Sequence, residues 1–326
     1  MINISRESEI NLINILIDQD IISGKDLAEI KKRFGFVAVI GAPNVGKSTF
    51  VNRIVGTKVS IVTPKVQTTR ANILGIIIRG KSQIVFIDTP GIFAPRKRFD
   101  RAMVDAAWTA ATEGDHIIVM VDASRGIDPN TKSLLNSISN GQRNLILVLN
   151  KIDIVRPEEL LSLSHAVNKL VTFSATFMIS AKSGNGVDDI LAYLDEVISD
   201  GPWHFPEDQI SDLPMRVLAA EITREQLFLL LRHELPYSVT VETDTWEEFS
   251  DESVKINQTI YVQRDTQKAI VLGKSGAMIR KISTAARKEL RKCFERNVHL
   301  FLFVKVRGKW MEDQERYQVL GLKFDV

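Results

Sequence analysis

Residues Gly41-Ala42-Pro43-Asn44-Val45-Gly46-Lys47-Ser48-Thr49 fit the spacing G-x-x-x-x-G-K-[ST]. Glycines at those places let a backbone close round a phosphate, with successive N–H groups pointing at its oxygens. A helix opening at Ser48 adds partial positive charge from its N-terminus. Lys47 is placed to bridge the outer two phosphates of a nucleoside triphosphate, and the Ser48 hydroxyl to bind Mg2+. Downstream, Asp88-Thr89-Pro90-Gly91 follows the apolar run 84–87. A carboxylate at the C-terminal end of a parallel strand faces the ligand crevice, so Asp88 can hold Mg2+ through water. The Gly91 N–H can then sense the γ-phosphate. Alone, this second pattern is an ordinary strand-end turn.

Two further motifs choose the base. Asn150-Lys151-Ile152-Asp153 follows the apolar run 145–149, and Ser180-Ala181-Lys182 follows 176–179. A carboxylate at Asp153 accepts hydrogen bonds from guanine N1 and N2, and adenine leaves it unpaired. The Ser180–Lys182 loop can supply a backbone N–H to guanine O6. Asn150 and Asp153 together are read as the guanine selectors. All four motifs occur in chain order, each after an apolar run, and this order resembles the translation-factor-like GTPases.

Between the first helix and the next strand lies 59–71, containing Thr63-Pro64-Lys65-Val66-Gln67-Thr68-Thr69-Arg70. In related GTPases a threonine here closes on Mg2+ only when the γ-phosphate is present. The match to the Thr-Arg ending selects Thr69 over Thr68. Lys47, Thr69 and Gly91 are thus the expected catalytic groups, and Ser48, Thr69 and Asp88 the metal ligands. Ile92 stands where Ras-like proteins carry a water-orienting glutamine, which predicts slow intrinsic turnover. Asn44 resembles the phosphate-loop asparagine of potassium-activated relatives, which would place K+ beside the phosphates.

Such a site needs a framework of strands alternating with helices. Short apolar runs at 36–40, 73–78, 84–87, 117–121, 145–149 and 176–179 read as buried strands. Helical stretches at 48–55, 103–113, 129–139 and 187–198 lie between or after them. This predicts a three-layer α/β domain with a mostly parallel sheet over 35–200. Ahead of it, 5–34 reads as short amphipathic helices, an N-terminal extension over 1–34 with no assignable chemistry. Gly201, Pro202, Pro206 and Pro214 mark 201–214 as a linker. Beyond it, 215–326 reads as a separate α+β unit: a helix at 215–234, strands at 237–246 and 253–263, a basic helix pair, and a strand at 298–306.

In that second unit, Gly273-Lys274-Ser275-Gly276 sits between an apolar strand-like stretch (269–272) and a helix (277–293). G-x-x-G is the nucleotide clamp of KH domains, whose small residues let a nucleic-acid backbone approach. Arg280, Lys281, Arg287 and Lys288 follow, and acids are few between 264 and 292. That local excess marks a phosphate-bearing partner, although the net charge of the 326 residues is only +2. Cys293 is the single cysteine, which excludes an internal disulfide or a cysteine-based zinc site. No apolar run reaches the roughly 18 residues of a membrane span, and the N-terminus lacks the plan of a secretory signal.

From Phe36 onward the chain resembles the bacterial Era-type GTPases. The resemblance rests on GAPNVGKST, PKVQTTR, DTPG, NKID and SAKSGNGV, and on IYVQRDTQKAIVLGKSGAMIRKISTAARKEL with VKVRGKW in the second unit. It implies a phosphate-loop GTPase domain followed by a type II KH domain, binding GTP or GDP with Mg2+. It further implies binding to the 3′ region of 16S ribosomal RNA and assembly of the small (30S) subunit. A cytoplasmic monomer in peripheral contact with the inner face of the cell membrane is the expected form. An RNA-binding assembly factor that holds nucleotide but barely hydrolyses it stays open as an alternative, because of Ile92. A tRNA-modification or double-GTPase type is disfavoured by the KH-like tail and the single phosphate loop.

Overall fold

The computed structural model describes residues 32–138, 144–308 and 310–326. The helices expected within 5–34 lie almost wholly outside the described residues. The first domain is built on a six-stranded sheet, in the order β2-β3-β1-β4-β5-β6. Its strands are β1 (Arg33–Gly41), β2 (Ile73–Arg79), β3 (Ser82–Asp88), β4 (His116–Asp122), β5 (Leu145–Asn150) and β6 (Ala175–Ile179). All neighbours pair in parallel except β2, which runs antiparallel to β3. Every residue of β3, β4 and β5 is buried, which is why these strands read as continuous rather than alternating apolar runs.

Helices α1 (Lys47–Val55) and α5 (Val187–Val197) cover one face, where Phe50, Val51, Ile190 and Leu194 join Val39, Phe86 and Val148. Helices α2 (Arg98–Glu113), α3 (Pro129–Ile138) and α4 (Pro157–Asn168) cover the other. Helix α4 was not foreseen from the sequence. Its register is set by few apolar positions, Leu160 and Val167 being the buried ones, and Pro157 opens it after Arg156.

Residues 201–214 are a strap rather than a free linker. The Ile76 N–H donates to Ile210 O at 2.9 Å and the Leu74 N–H to Asp212 Oδ1 at 3.2 Å. Gln83 Oε1 accepts from the His204 and Phe205 N–H groups, and the His204 ring stacks on Phe34 at 3.9 Å. Strand β2 is the sheet edge, so its outward N–H groups need partners, and the strap supplies them.

The second domain is a three-stranded sheet, β7 (Thr240–Glu248), β8 (Val254–Val262) and β9 (Val298–Val306), in that order. β7 and β8 are antiparallel, β8 and β9 parallel. Helices α6 (Met215–Leu230), α7 (Asp265–Leu272) and α8 (Ala277–Phe294) pack on one face of it. Ile282, Ala286 and Leu290, four residues apart on α8, are buried there, while Lys281 and Lys288 face outward. The stretch 269–272, read as strand-like, is the end of helix α7. A four-residue apolar run has no period of its own, and the helix that began at Asp265 carries it to Gly273. Finally, α9 (Gln314–Val319) and the residues after it return to the first domain. Tyr317, Leu322 and Phe324 pack with Phe99 and Met103 on α2.

Candidate functional site

The loop from β1 to α1 surrounds a cleft of about 380 Å³, closed opposite by Thr63, Pro64, Thr68 and Thr69. Gly46 has φ +105°, and a Cβ there would meet Asn150 Nδ2 at 2.2 Å, so only glycine fits. A Cβ on Gly91 would lie 2.9 Å from the Pro43 backbone. The absence of one lets Asp88–Gly91 press against the phosphate loop, where the Ile92 N–H donates to Gly41 O at 3.0 Å. The Ile92 side chain itself is buried among Ile40, Val119 and Ala107 and faces away from the cleft.

Lys47 is buried, with Nζ donating to Gly41 O at 3.2 Å and Ala42 O at 3.1 Å. Burial lowers its pKa to about 8, partly opposed by the Asp88 carboxylate. A triphosphate against Nζ restores the proton's preference for lysine. Below pH about 8 the lysine is charged both free and bound, so affinity is level. Above it the free protein has lost the proton that binding must take back, and affinity falls by up to about tenfold per pH unit. Calorimetry in buffers of different ionisation enthalpy should show most of a proton taken up on GTP binding near pH ~8.5 and almost none near pH ~7. A Lys47→Arg protein should show none. Equal uptake at both values for the wild type would refute the assignment.

Asp88 is wholly buried, and burial raises its pKa against hydrogen bonds from Ser60 and Ser48 and the Lys47 charge. Ser60 Oγ donates to Oδ2 at 2.6 Å, whereas Oδ1 has no partner. Ser48 Oγ and Thr69 Oγ1 stand 2.9 Å apart in the same corner. A buried carboxylate oxygen left without a donor, beside two hydroxyls and a phosphate cradle, is the donor set of a hard divalent cation such as Mg2+. Thr68 is engaged elsewhere, with Thr63 Oγ1 at 2.6 Å and Lys65 O at 2.8 Å. The structure therefore brings Thr69, and not Thr68, to this corner. Thr89 is a structural partner, donating to Val39 O at 2.7 Å, and Pro90 is buried behind it. Thr49, with Ser48, lines the cleft.

At the base end, Lys151 turns through φ +71° and its Nζ donates to Asp122 Oδ2 at 2.6 Å. The turn leaves Asp153 exposed on a short helical turn, Ile152–Ile154. Asn150 also has a structural task that its spacing does not show. Its Nδ2 donates to Val45 O at 2.7 Å and its Oδ1 accepts the Ala181 N–H at 2.9 Å. It thus ties the phosphate loop to the Ser180–Lys182 loop, and among the described residues the second Nδ2 hydrogen has only Met120 Sδ at 3.9 Å. The Ala181 N–H is spent on that tie, and the N–H free of partners among the described residues is that of Lys182. Arg53 on α1 holds the same loop through the Ala181 and Lys182 carbonyls. Nothing in the spacing marked Arg53. Asp122, by contrast, ends an apolar strand just as Asp88 does, and that signal was available.

The switch segment 59–71 also touches the second domain. Arg224 Nη2 on α6 donates to Thr68 O at 2.6 Å, and Glu225 Oε1 accepts the Val62 N–H at 2.9 Å. Lys58 Nζ reaches Glu225 Oε2 at 2.5 Å. Arg70 is buried, its guanidinium donating to Val239 O at 2.9 Å and Tyr237 O at 3.2 Å. It lies over Phe99, Phe228 and Trp310 at 5.4 to 5.8 Å. Burial and the nearby Arg224 cation push its pKa down, against the pull of Glu221. Ring faces and carbonyls hold the charge in place. These contacts carried no sequence signal, because they join residues more than 150 positions apart.

The clamp Gly273-Lys274-Ser275-Gly276 lies between α7 and α8, with Lys274 and Ser275 exposed and Ser275 at φ +51°. Arg280, Lys281 and Lys288 are exposed on α8, while Arg287 is half-buried and leans on Ser283 Oγ at 3.5 Å.

A family profile described as 50S ribosome-binding GTPase matches residues 36–151, and one described as KH domain matches 234–311. The chain is 58% identical to the GTPase Era of Rhizobium meliloti over 295 residues, covering 90% of this chain and 94% of that protein. It is 55% identical to the GTPase Era of Agrobacterium fabrum over 315 residues, covering 96% and 99%. That alignment reaches well into residues 1–34, so the likeness does not begin at Phe36 as the sequence reading placed it. Among solved structures, Era in complex with MgGDPNP and nucleotides 1506–1542 of 16S ribosomal RNA matches with a TM-score of 0.82 at 37% identity, covering 89% of this chain and 99% of that one. An Aquifex aeolicus Era variant bound to GDP and AlF4− matches with a TM-score of 0.83 at 37% identity, with the same coverage. The triphosphate cleft, the guanine loop and the appended clamp are thus parts of one known arrangement, and the chain belongs to the Era family of GTPases.

Proposed function

We propose that this GTPase uses its nucleotide state to set how its KH domain holds the single-stranded 3′ region of 16S ribosomal RNA during assembly of the small ribosomal subunit. The observation that carries this reading is the double attachment of the switch segment. Thr69 stands at the cation corner of the cleft, and its neighbours Thr68 and Arg70 are bonded to the KH domain. The RNA part is supported by the clamp and the basic α8, and by the RNA in the related Era complex.

Hydrolysis requires water in line with the γ-phosphorus, and the bond to the β-phosphate oxygen breaks as the new one forms. Lys47 neutralises charge on the leaving oxygen, and the Gly91 N–H donates to the γ-phosphate. Ile92 contributes nothing to placing water, so intrinsic turnover is slow. Ser48, Thr69 and Asp88 would hold Mg2+, which supplies charge neutralisation across the β- and γ-phosphates. Asn44 Nδ2 donates to Pro64 O at 2.8 Å. That leaves its amide oxygen and the switch carbonyls as the donor set for K+, and faster hydrolysis in KCl than in NaCl is the corresponding test. The protein works as a monomer in the cytoplasm, in peripheral contact with the membrane. Among the described residues no helix is long and apolar enough to cross it.

Changing both Lys274 and Lys281 to Glu should lower affinity for the 16S 3′-end RNA by more than about tenfold and leave GTP affinity unaltered. Filter binding and nucleotide titration read the two quantities separately. RNA affinity that survived both changes would dismiss the clamp as the platform. Phosphate release that is undetectable both with and without that RNA would favour the alternative, an assembly factor that keeps nucleotide for structure.

A further inference from the structure

Strand β9 is one of the two edges of the KH sheet, and its two faces differ in kind. Val298, Leu300 and Val304 are buried under the helices, while His299, Phe301, Phe303 and Lys305 point to the outer face. Phe301 and Phe303 are 49% and 53% exposed. In an ordinary half-buried strand this outer row is polar, so two phenyl rings there need a reason.

The floor beside the rings is polar and already satisfied. Asn257 and Thr259 are their register partners on β8. Thr259 Oγ1 donates to Asp244 at 2.6 Å and Asn257 Nδ2 to Thr245 at 2.8 Å. On the β8 side, therefore, the rings meet polar groups, and beyond His299 the exposed Phe249 ring packs edge-on at 6.2 Å. Two residues apart on one strand, they stand roughly 7 Å from each other, a step that successive nucleotides of an extended strand can span. Charges of both signs surround them: Asp244 and Glu242 lie on the β7 side, and the cations belong to β9 and the residues after it. β9 carries no acid, Lys305 follows the rings, and Arg307 follows the strand. The clamp is adjacent, because α7, which ends at Gly273, packs against the opposite face of this same strand. A strand of RNA leaving the clamp needs to cross only one open edge to reach the rings.

We propose that Phe301 and Phe303, with His299 and Lys305, form a second single-stranded RNA site, a stacking platform for bases that flank those in the clamp. This rests on the RNA-binding reading above and extends its footprint to the outer face of the sheet. Aromatic side chains take bases of any sequence by their π-faces, so the platform adds length of grip rather than sequence choice.

The test uses the full chain and two single-stranded RNAs from the 16S 3′ end, one of about four nucleotides to fill the clamp alone and one of about sixteen. The F301A/F303A protein should lose at least about tenfold on the long RNA and almost nothing on the short one. The F301Y/F303Y protein should keep wild-type affinity for both. Because both side chains are exposed, thermal unfolding of the variants should match the wild type. Long-RNA binding that is unchanged in F301A/F303A overturns the platform, and so does an equal loss on both lengths. A wild-type protein that binds neither RNA removes the RNA reading and the platform with it. Sedimentation showing a dimer that the same double variant dissolves would make this edge a self-association surface and overturn the proposal as well.

Discussion

Asp153→Asn should weaken GTP at least about a hundredfold and let xanthosine triphosphate bind in its place. Guanine presents two donors, N1–H and the N2 amino group, and the wild-type carboxylate accepts from both with a full negative charge. Charge-assisted bonds of this kind are roughly twice as strong as neutral ones. An asparagine offers one acceptor and turns its amino group toward the other donor, so one bond is lost and a donor faces a donor. Xanthine carries a carbonyl where guanine has the amino group, and that carbonyl accepts from the new amide. The scaffold should be indifferent to the change. Asp153 is exposed on its turn and makes no bond to the rest of the described residues. The turn is held by its neighbour, through Lys151 Nζ on Asp122. Titration with fluorescent GTP and xanthosine triphosphate analogues reads both affinities, and unchanged unfolding shows that only recognition moved. If GTP affinity stayed within about twofold, Asp153 would not be the residue that meets the base.

The same pair of residues shows what a sequence can and cannot disclose. Asp153 was found because its chemistry is local: a carboxylate three residues past an asparagine, after an apolar strand. Asn150 was picked out for the same reason, but its structural task was not. Its amide also joins Val45 to Ala181, and partners 105 and 31 positions away are invisible to spacing. The strands were legible because burial on both faces writes an unbroken apolar run. The bonds of the stretch 201–214 were not legible, because its prolines and glycine describe only where a helix cannot be. Its bonds to β2 arise from the needs of a sheet edge elsewhere in the chain. On α6, Thr223, Arg224, Glu225 and Gln226 are all buried. A run of polar residues predicts solvent, and here Arg224 and Glu225 are covered by the switch segment while Thr223 donates to Gln258 on β8.

That covered face leads to the second large effect. Arg70→Ala should abolish the difference in RNA affinity between the GDP form and the form with a non-hydrolysable triphosphate. Thr69 and Arg70 are consecutive, so one peptide connects the cation corner to the Phe99, Phe228 and Trp310 rings. Drawing Thr69 inward presents Arg70 to the Val239 and Tyr237 carbonyls, and this fixes the KH domain against the switch. Coupling between two sites is commonly about 1–3 kcal/mol, or roughly five- to 150-fold in affinity, and the wild type should fall in that range. Removing the guanidinium leaves the triphosphate ligands intact but cuts the buried link that follows Thr69 directly, so the ratio should collapse to within about twofold. Linkage makes a reciprocal demand. RNA should strengthen triphosphate binding in the wild type by the same factor, and in the variant it should do nothing. Measuring both arms guards against a misfolded KH domain, which would lose RNA affinity in every nucleotide state. A variant that kept the full ratio would show that the switch and the clamp communicate by a route other than Arg70. The connections that remain in the structure are Arg224 and Glu225 on the switch segment, and the C-terminal segment on α2, where Lys323 meets Asp105 at 3.2 Å and Arg101 donates to the Val326 carbonyl at 3.1 Å.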